Sequence, residues 1–272
     1  MATLKRANIT DSPAYLFAMC DDVNTVVLHL ALPKPVAFYP LNSRYRAAEK
    51  YDRQPEGILG DVAITKGPYS DPGGAYMFFG TLASYIEFPN RGGLDTHLSI
   101  TLMCWVQPRG QDGPLFSYGG YNNGVLIGID EQKFFSIITN RGNNLLFEIK
   151  TSAVEVLTTG VWAQVAATYN SGPGNISLYI NGHLSISKNI SAGYQISTEG
   201  NRIRMGVTGT NDRYFKGKIA EMKVYDVALN EAEIQTAIRQ GMYKRGTLTK
   251  IDCTPKLVTH YPLPPVNPLL KH

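Results

Sequence analysis

The chain of 272 residues has no run of about 18 apolar residues, so nothing in it reads as a helix crossing a bilayer. Its three cysteines, Cys20, Cys104 and Cys253, are too few and odd in number for a disulfide framework. Charge is sparse: 18% of residues are charged, the formal net charge is +4, and no basic run is dense enough to follow a phosphate backbone. That argues against nucleic acid as a partner. Met1 to Thr10 are polar and basic and lack the apolar core of a signal peptide. Val23 to Val36 is the most apolar early stretch, but Asp21 and Asp22 precede it and Lys34 interrupts it. The five histidines show no metal-ligand spacing, and there is neither a Gly-x-Ser-x-Gly elbow nor a phosphate loop. Two-carboxylate glycoside hydrolysis needs acidic residues at alternate strand positions, whereas Asp130-Glu131 and Asp21-Asp22 are adjacent and would point apart. Glu87, Glu148 and Glu221 read as exposed strand positions. No catalytic residue is identified, and the expectation is a protein that is not an enzyme.

Glycine (26) and tyrosine (16) are plentiful, and short apolar runs alternate with Gly, Asn, Ser and Pro, the pattern of an all-β chain. Residues 1–35 read as an irregular lead-in closed by Pro33-Lys34-Pro35. Residues 36–241 carry dense strand signals. Residues 242–272 hold Pro255, Pro262, Pro264, Pro265 and Pro268 and read as an extended tail or stalk. In Ser99 to Val106, Ile100, Leu102, Cys104 and Val106 share one face, while Met103 and Trp105 give the strand a second covered face; Pro108 and Gly110 are expected to end it. Val165, Ala167 and Tyr169 alternate in the same way. Asn181-Gly182 predicts a type I′ hairpin between Ile176–Ile180 and His183–Ile186, because both turn positions need positive φ. One late helix is predicted: Asn230 caps it, Glu233 completes a capping box, Ile234 and Ile238 form its apolar stripe, and Gly241 closes it. The predicted architecture is a two-sheet antiparallel β-sandwich with one short C-terminal helix.

The order of motifs from Phe38 to Gly241 resembles the laminin-G-like and pentraxin jelly rolls of the concanavalin-like group. Phe38-Tyr39-Pro40-Leu41 resembles the opening strand. Ala75 to Gly80 and Ser84 to Pro89 resemble a paired segment, Ser99 to Pro108 the strand ending Trp-Val-x-Pro, and Gly113 to Tyr118 the strand after it. Val161-Trp162 to Tyr169 is similar to the strand that begins with Trp, Leu178 to Gly182 to the family hairpin, and Tyr214 to Ile234 to the closing strand and helix. The resemblance implies a binding module for sugars, phosphate-bearing ligands or proteins, often through calcium at one edge; fold alone does not settle which.

That resemblance also frames the candidate sites. Where pentraxins place acidic calcium ligands, this chain has Tyr121-Asn122-Asn123 and, later, Val207 to Asp212, with Arg202, Arg204 and Arg213 nearby. This departure argues against a two-calcium site. A single calcium held by Asn122, Asn123, Asp212 and backbone carbonyls stands against reading the same residues as ordinary turn formers. Cys104 fits the first cysteine of the pentraxin disulfide, but Trp162 to Tyr169 contains no second, so a laminin-G-like relative is favoured and Cys104 reads as a small buried residue. Cys20 and Cys253 flank the domain and form a candidate disulfide, because sandwich termini often lie close together. Tyr118, Tyr121, Asn122, Asn123, Arg213 and Tyr214 form a candidate glycan-binding rim, an aromatic plane with planar polar side chains. Asn8, Asn175 and Asn189 lie in Asn-x-Ser/Thr triplets and are candidate glycosylation sites. The expectation is an extracellular recognition, adhesion or matrix module that binds glycan or an extracellular protein, with two origins open: a chain secreted by a signal the sequence does not display, or a fragment of a longer ectodomain. A purely structural protein-interaction module and a diverged glycosidase are the alternatives.

Overall fold

The computed structural model describes residues 16–17, 29–30, 32–91, 93–119, 124–141, 146–200, 202–208 and 213–243. Leu16–Phe17 (β1) and His29–Leu30 (β2) pair as a short antiparallel ladder where the sequence reads as irregular. The next strands are Ala37–Tyr39 (β3), Ile58–Leu59 (β4), Val62–Thr65 (β5), Ala75–Phe79 (β6), Ile86–Phe88 (β7) and Ser99–Gln111 (β8). They are followed by Gly113–Tyr118 (β9), Val125–Asp130 (β10), Lys133–Thr139 (β11), Leu146–Lys150 (β12) and Ala163–Asn170 (β13). Asn175–Ile180 (β14), His183–Asn189 (β15), Ile203–Met205 (β16), Lys216–Tyr225 (β17) and the helix Glu231–Tyr243 (α1) complete the chain.

From β3 onward the strands form two antiparallel sheets. The smaller has the order β12-β11-β10-β9-β16-β7-β4, and the larger β15-β14-β13-β8-β17-β6-β5, with β3 also pairing β17. Alternation drives them together. Ile100, Leu102, Cys104 and Val106 of β8 and Val165, Ala167 and Tyr169 of β13 face the same core as Val125, Ile127 and Ile129 of β10. Rings tile its centre: Tyr39 lies 4.2 Å from Phe88 centroid to centroid, and Phe116 meets Tyr118 edge to face at 5.6 Å. Cys104 is a free, buried cysteine, and burial pushes its thiol up to about 12.

A second apolar layer lies on the outer face of the larger sheet. Met103, Ala166, Tyr179 and Tyr225 receive Leu229, Ile234 and Ala237, so α1 covers the back of β8, β13, β14 and β17. The capping box is formed: Asn230 Oδ1 accepts from Glu233 N at 3.1 Å, and Asn230 N donates to Glu233 Oε2 at 2.8 Å. The hairpin turn is also as expected, with φ of 52° at Asn181 and 83° at Gly182.

Three boundaries differ from the sequence reading. Strand β8 runs on through Pro108 and Gly110 to Gln111. Proline has no N–H for the ladder, but the Pro108 carbonyl accepts from Gly160 N at 2.8 Å, and an irregularity at Lys216/Gly217 takes up the mismatch. Helix α1 does not stop at Gly241 but continues to Tyr243. Glu221 is buried (4% exposed) rather than an exposed strand position. Its burial comes from a β-bulge: Ala220 pairs with Trp105 and Lys223 with Met103, so β17 carries one extra residue. Glu221 occupies the bulge at φ 53°, a conformation usually left to glycine. Below the bulge β17 pairs β6; above it, β17 pairs β3.

Candidate functional site

A cleft of about 540 Å³ opens on the outer face of the larger sheet, where β17 changes partner. Its floor is the upper half of β17 (Glu221, Lys223, Tyr225) with Phe38 and Pro40 from β3 and the residue after it. One wall is the segment that follows β3 and contributes Asn42, Arg44, Tyr45, Lys50 and Tyr51. The last turns of α1 form the opposite wall through Ala237, Gln240 and Gly241, and Tyr69 and Asp71 close one end.

The wall after β3 is held from within. Asn42 Oδ1 accepts from Arg44 N at 3.1 Å and Tyr45 N at 2.9 Å, turning the chain sharply after Leu41. Behind that turn, the fully buried carboxylate of Glu49 gathers the next stretch. It accepts from Phe38 N at 2.9 Å, Tyr51 N at 2.8 Å, Arg53 N at 3.0 Å and Arg53 Nη2 at 3.3 Å. Its charge is thus consumed locally. Strain concentrates around the same cleft. Of the eight non-glycine residues at positive φ among the described residues, Leu41, Arg46, Asp52, Ser70 and Glu221 lie in its lining or next to a lining residue. Such conformations persist where the surroundings over-determine them, as at binding sites.

Cations are held over rings here. The Lys50 ammonium lies 5.0 Å from the Phe38 centroid and 5.6 Å from Tyr51, and Lys223 Nζ lies 5.1 Å from Phe38. The Arg44 guanidinium lies 5.4 Å from the Tyr45 ring. Each such contact is worth roughly 0.5–1 kcal/mol when exposed. Lys223 also donates to the Ala237 carbonyl at 3.2 Å, tying the floor to α1. Among the described residues, neither Arg44 nor Lys50 forms an ion pair. The Asp71 carboxylate folds onto Gly67 and Gly74 of its own loop. Glu221 reaches toward α1: a Cβ on Gly241 would sit 3.2 Å from its Oε2 and 3.6 Å from the Tyr69 hydroxyl. Glycine at 241 therefore keeps this end of the cleft open. Burial, with the nearby Tyr51, pushes the Tyr225 phenol upward, so it stays neutral and acts as a donor or acceptor. The arrangement offers flat apolar faces edged by amides and cations, a surface for a polar ligand with planar faces.

Of the residues expected at the rim, the described ones, Tyr118, Arg213 and Tyr214, do not line this cleft. Tyr118 is fully buried, and its hydroxyl donates to the Leu94 carbonyl at 2.8 Å. It is a core residue, because every second residue of β9 faces inward. Arg213 is exposed and donates to Asp130 Oδ1 at 2.9 Å, while Lys150 donates to Asp130 Oδ2 at 2.6 Å. Lys150, by that hydrogen bond, and Arg213 hold the Asp130 carboxyl below its ordinary range. Tyr214 is half-buried, with its carbonyl accepting from Gln111 Nε2 at 2.7 Å. Tyr121, Asn122, Asn123 and Asp212, and with them the calcium site, lie outside the described residues, as do Asn8, Cys20 and Cys253. Among the described residues, no group of three or more His, Cys, Asp or Glu is placed to hold a metal ion. Asn175 and Asn189 face each other across β14 and β15, and Asn175 Nδ2 donates to Asn189 Oδ1 at 2.8 Å. Asn189 is exposed and Asn175 half-buried.

The sequence matches the family Laminin_G_3, described as the concanavalin A-like lectin/glucanases superfamily, over residues 79–235. No curated protein matches it. Among solved structures, the binding domain of Paraclostridial Mosquitocidal Protein 1 is similar at 18% identity and TM-score 0.63, over 76% of this chain and 52% of that one. The Botulinum neurotoxin serotype D ligand-binding domain, in complex with N-acetylneuraminic acid, is similar at 16% identity and TM-score 0.59, over 76% and 50%. Domain 4 of AbnA, an extracellular arabinanase of Geobacillus stearothermophilus, in complex with arabinotriose, is similar at 20% identity and TM-score 0.57, over 75% and 98%. The chain thus spans about half the length of the toxin domains it matches.

Proposed function

This chain belongs to the concanavalin A-like lectin/glucanase superfamily, and from that premise we propose that it is an extracellular, non-catalytic recognition module that binds glycan in the cleft between β17 and α1. The observation that carries the reading is the cleft itself. It has about 540 Å³ of space, within the range of small-ligand sites, and four tyrosines and a phenylalanine share its lining with amides and cations. A sugar ring has an apolar face that stacks on aromatics and an equatorial fringe of hydroxyls that takes planar hydrogen-bonding groups. Tyr45 and Tyr51 supply the planes; Asn42 and Gln240 supply amides on opposite walls. Similar domains in solved structures hold arabinotriose and N-acetylneuraminic acid, which supports a sugar as the ligand class. One of these domains comes from an extracellular enzyme, which supports the placement.

The test is a glycan array probed with the wild-type chain, a Tyr45→Ala/Tyr51→Ala double variant and Arg213→Ala. Binding that the double variant loses by at least about 10-fold, and that Arg213→Ala retains, is expected from the loss of two stacking planes at about 1 kcal/mol or more. Loss in Arg213→Ala alone would move the site to the rim that Arg213 and Tyr214 share with the loops beside them. A response to chelator would bring in calcium at Asn122, Asn123 and Asp212. An array blank for all three proteins would leave adhesion to a protein partner through a sheet face as the working function.

A further inference from the structure

Resting on the glycan reading of the cleft, we infer that its ligand is an acidic saccharide, whose anionic group is received by Lys50 and Arg44. The argument is one of charge placement. Five charged side chains line the cleft: Arg44, Lys50, Lys223, Asp71 and Glu221. Three of them have interactions within the protein. Lys223 donates to the Ala237 carbonyl and faces Phe38, the Asp71 carboxylate lies against Gly67 and Gly74 of its own loop, and Glu221 is buried at the bulge near Gly241. Arg44 and Lys50 remain, both on the wall after β3 and neither in an ion pair among the described residues. The acidic residue next in sequence, Glu49, does not neutralise Lys50. Its carboxylate is buried and takes all of its donors from Phe38, Tyr51 and Arg53.

Lys50 is half-buried, with its ammonium over the rings of Phe38 and Tyr51. A partly desolvated cation held by ring faces retains its hydrogen-bond donors, and an anion is the partner that uses them. The rings that position the two cations, Phe38, Tyr45 and Tyr51, also line the cleft. The same wall therefore offers a flat apolar face and a positive edge, the complement of a sugar ring bearing a carboxylate or a sulfate. Both groups are planar or tripodal oxyanions that accept charge-assisted hydrogen bonds, so the chemistry is common to uronic or sialic acids and to sulfated sugars.

Two matched pairs of probes decide this: an oligouronide and its carboxyl-reduced counterpart, and a sulfated oligosaccharide and its desulfated counterpart. Each is titrated calorimetrically against wild type, Lys50→Gln and Arg44→Gln. The acidic member of at least one pair is expected to bind roughly 10–100-fold tighter than its neutral counterpart, the worth of a hydrogen bond to a charged group. Raising salt from about 0.05 to 0.5 M should weaken that member and spare the neutral one, because the screening length shortens to a few ångströms. Lys50→Gln should erase most of the preference for the acidic over the neutral member, and thermal melting of both variants should show the fold intact. Which pair responds identifies carboxylate or sulfate as the source. Equal binding of both members in both pairs would overturn the inference and leave the glycan reading standing, as would a preference that survives in both variants. Binding to none of the four probes would overturn the two together.

Discussion

Replacing Glu49 with alanine tests whether the wall of the cleft is built as described. The side chain is fully buried and collects four donors, three of them backbone amides spread from Phe38 to Arg53. Hydrogen bonds to an ionised acceptor are worth about 1.5–3 kcal/mol each, and a buried donor left unpaired costs about 1–3 kcal/mol. Tyr51 and Arg53 are exposed residues, so water replaces part of what their amides lose; the N–H of half-buried Phe38, on strand β3 paired with β17, is less well compensated. The sum is a loss of roughly 3–4 kcal/mol, or a melting temperature lower by about 6–16 °C for a domain of this size. Glu49→Gln keeps the volume and one acceptor but turns an amide donor toward a backbone donor, and should fall between wild type and alanine. Arg53→Met removes a partner that is 37% exposed, while three backbone amides still hold the buried carboxylate, and should cost less than Glu49→Ala. Thermal and urea unfolding of the three variants read the order directly. An alanine variant melting within about 1 °C of wild type would refute the reasoning, because the wall would then stand without its carboxylate.

Two further outcomes follow from particular contacts. Gly182→Ala forces an L side chain into φ 83° and brings its Cβ within 3.0 Å of Gln235 Cγ and 3.1 Å of Ile238 Cδ1 on α1. A loss of about 1–2 kcal/mol is expected in urea unfolding, and an unchanged midpoint would mean that the turn is not of the type I′ kind. Asp130 contributes through pH. Lys150 and Arg213 hold its folded carboxyl below the ordinary 3.8, so its stabilisation is fully present above that value and disappears as pH falls through the lower, folded one. Asp130→Asn should therefore be less stable than wild type near neutrality, by less than about 1 kcal/mol for so exposed a pair, and the difference should vanish as pH falls through the folded value. A deficit that stays constant across that range would show that the charge is not what matters.

Much of the sandwich is legible in the residues. Strict alternation in β8 and β13 gives their inward faces, the Asn-Gly pair gives the hairpin, and the capping box marks the start of α1. Each is a local signal whose physics is complete within a few residues. What fails is read across distance. Tyr118 looks like a rim ligand because aromatic and amide residues follow it, yet its place on β9 decides its direction, and the carbonyl it serves is on Leu94. Gly241 looks like a helix stop, but the helix runs on and the glycine serves the close approach of Glu221 and Tyr69. Nothing near Gly241 in the sequence announces those neighbours.

The cleft itself left one trace in the sequence. Along Lys216 to Tyr225 neither alternate set is consistent: Ile219 shares its parity with Glu221 and Lys223, while Lys218 shares its parity with Met222 and Val224. No regular strand buries either set without placing a charge in the core. The conflict disappears if one residue is inserted between Ile219 and Met222, since Ile219, Met222 and Val224 then all face inward. That is the arrangement found, with Glu221 as the extra residue and all three apolar side chains fully buried. A phase slip of the apolar pattern is thus the sequence signature of a bulge, and a bulge lets a sheet change its edge partner and turn a charged side chain toward a groove. The slip leads to β3, to the strained wall after it and to α1 above. The place of the cleft is therefore predictable from an inconsistency in the strand pattern, not from a motif.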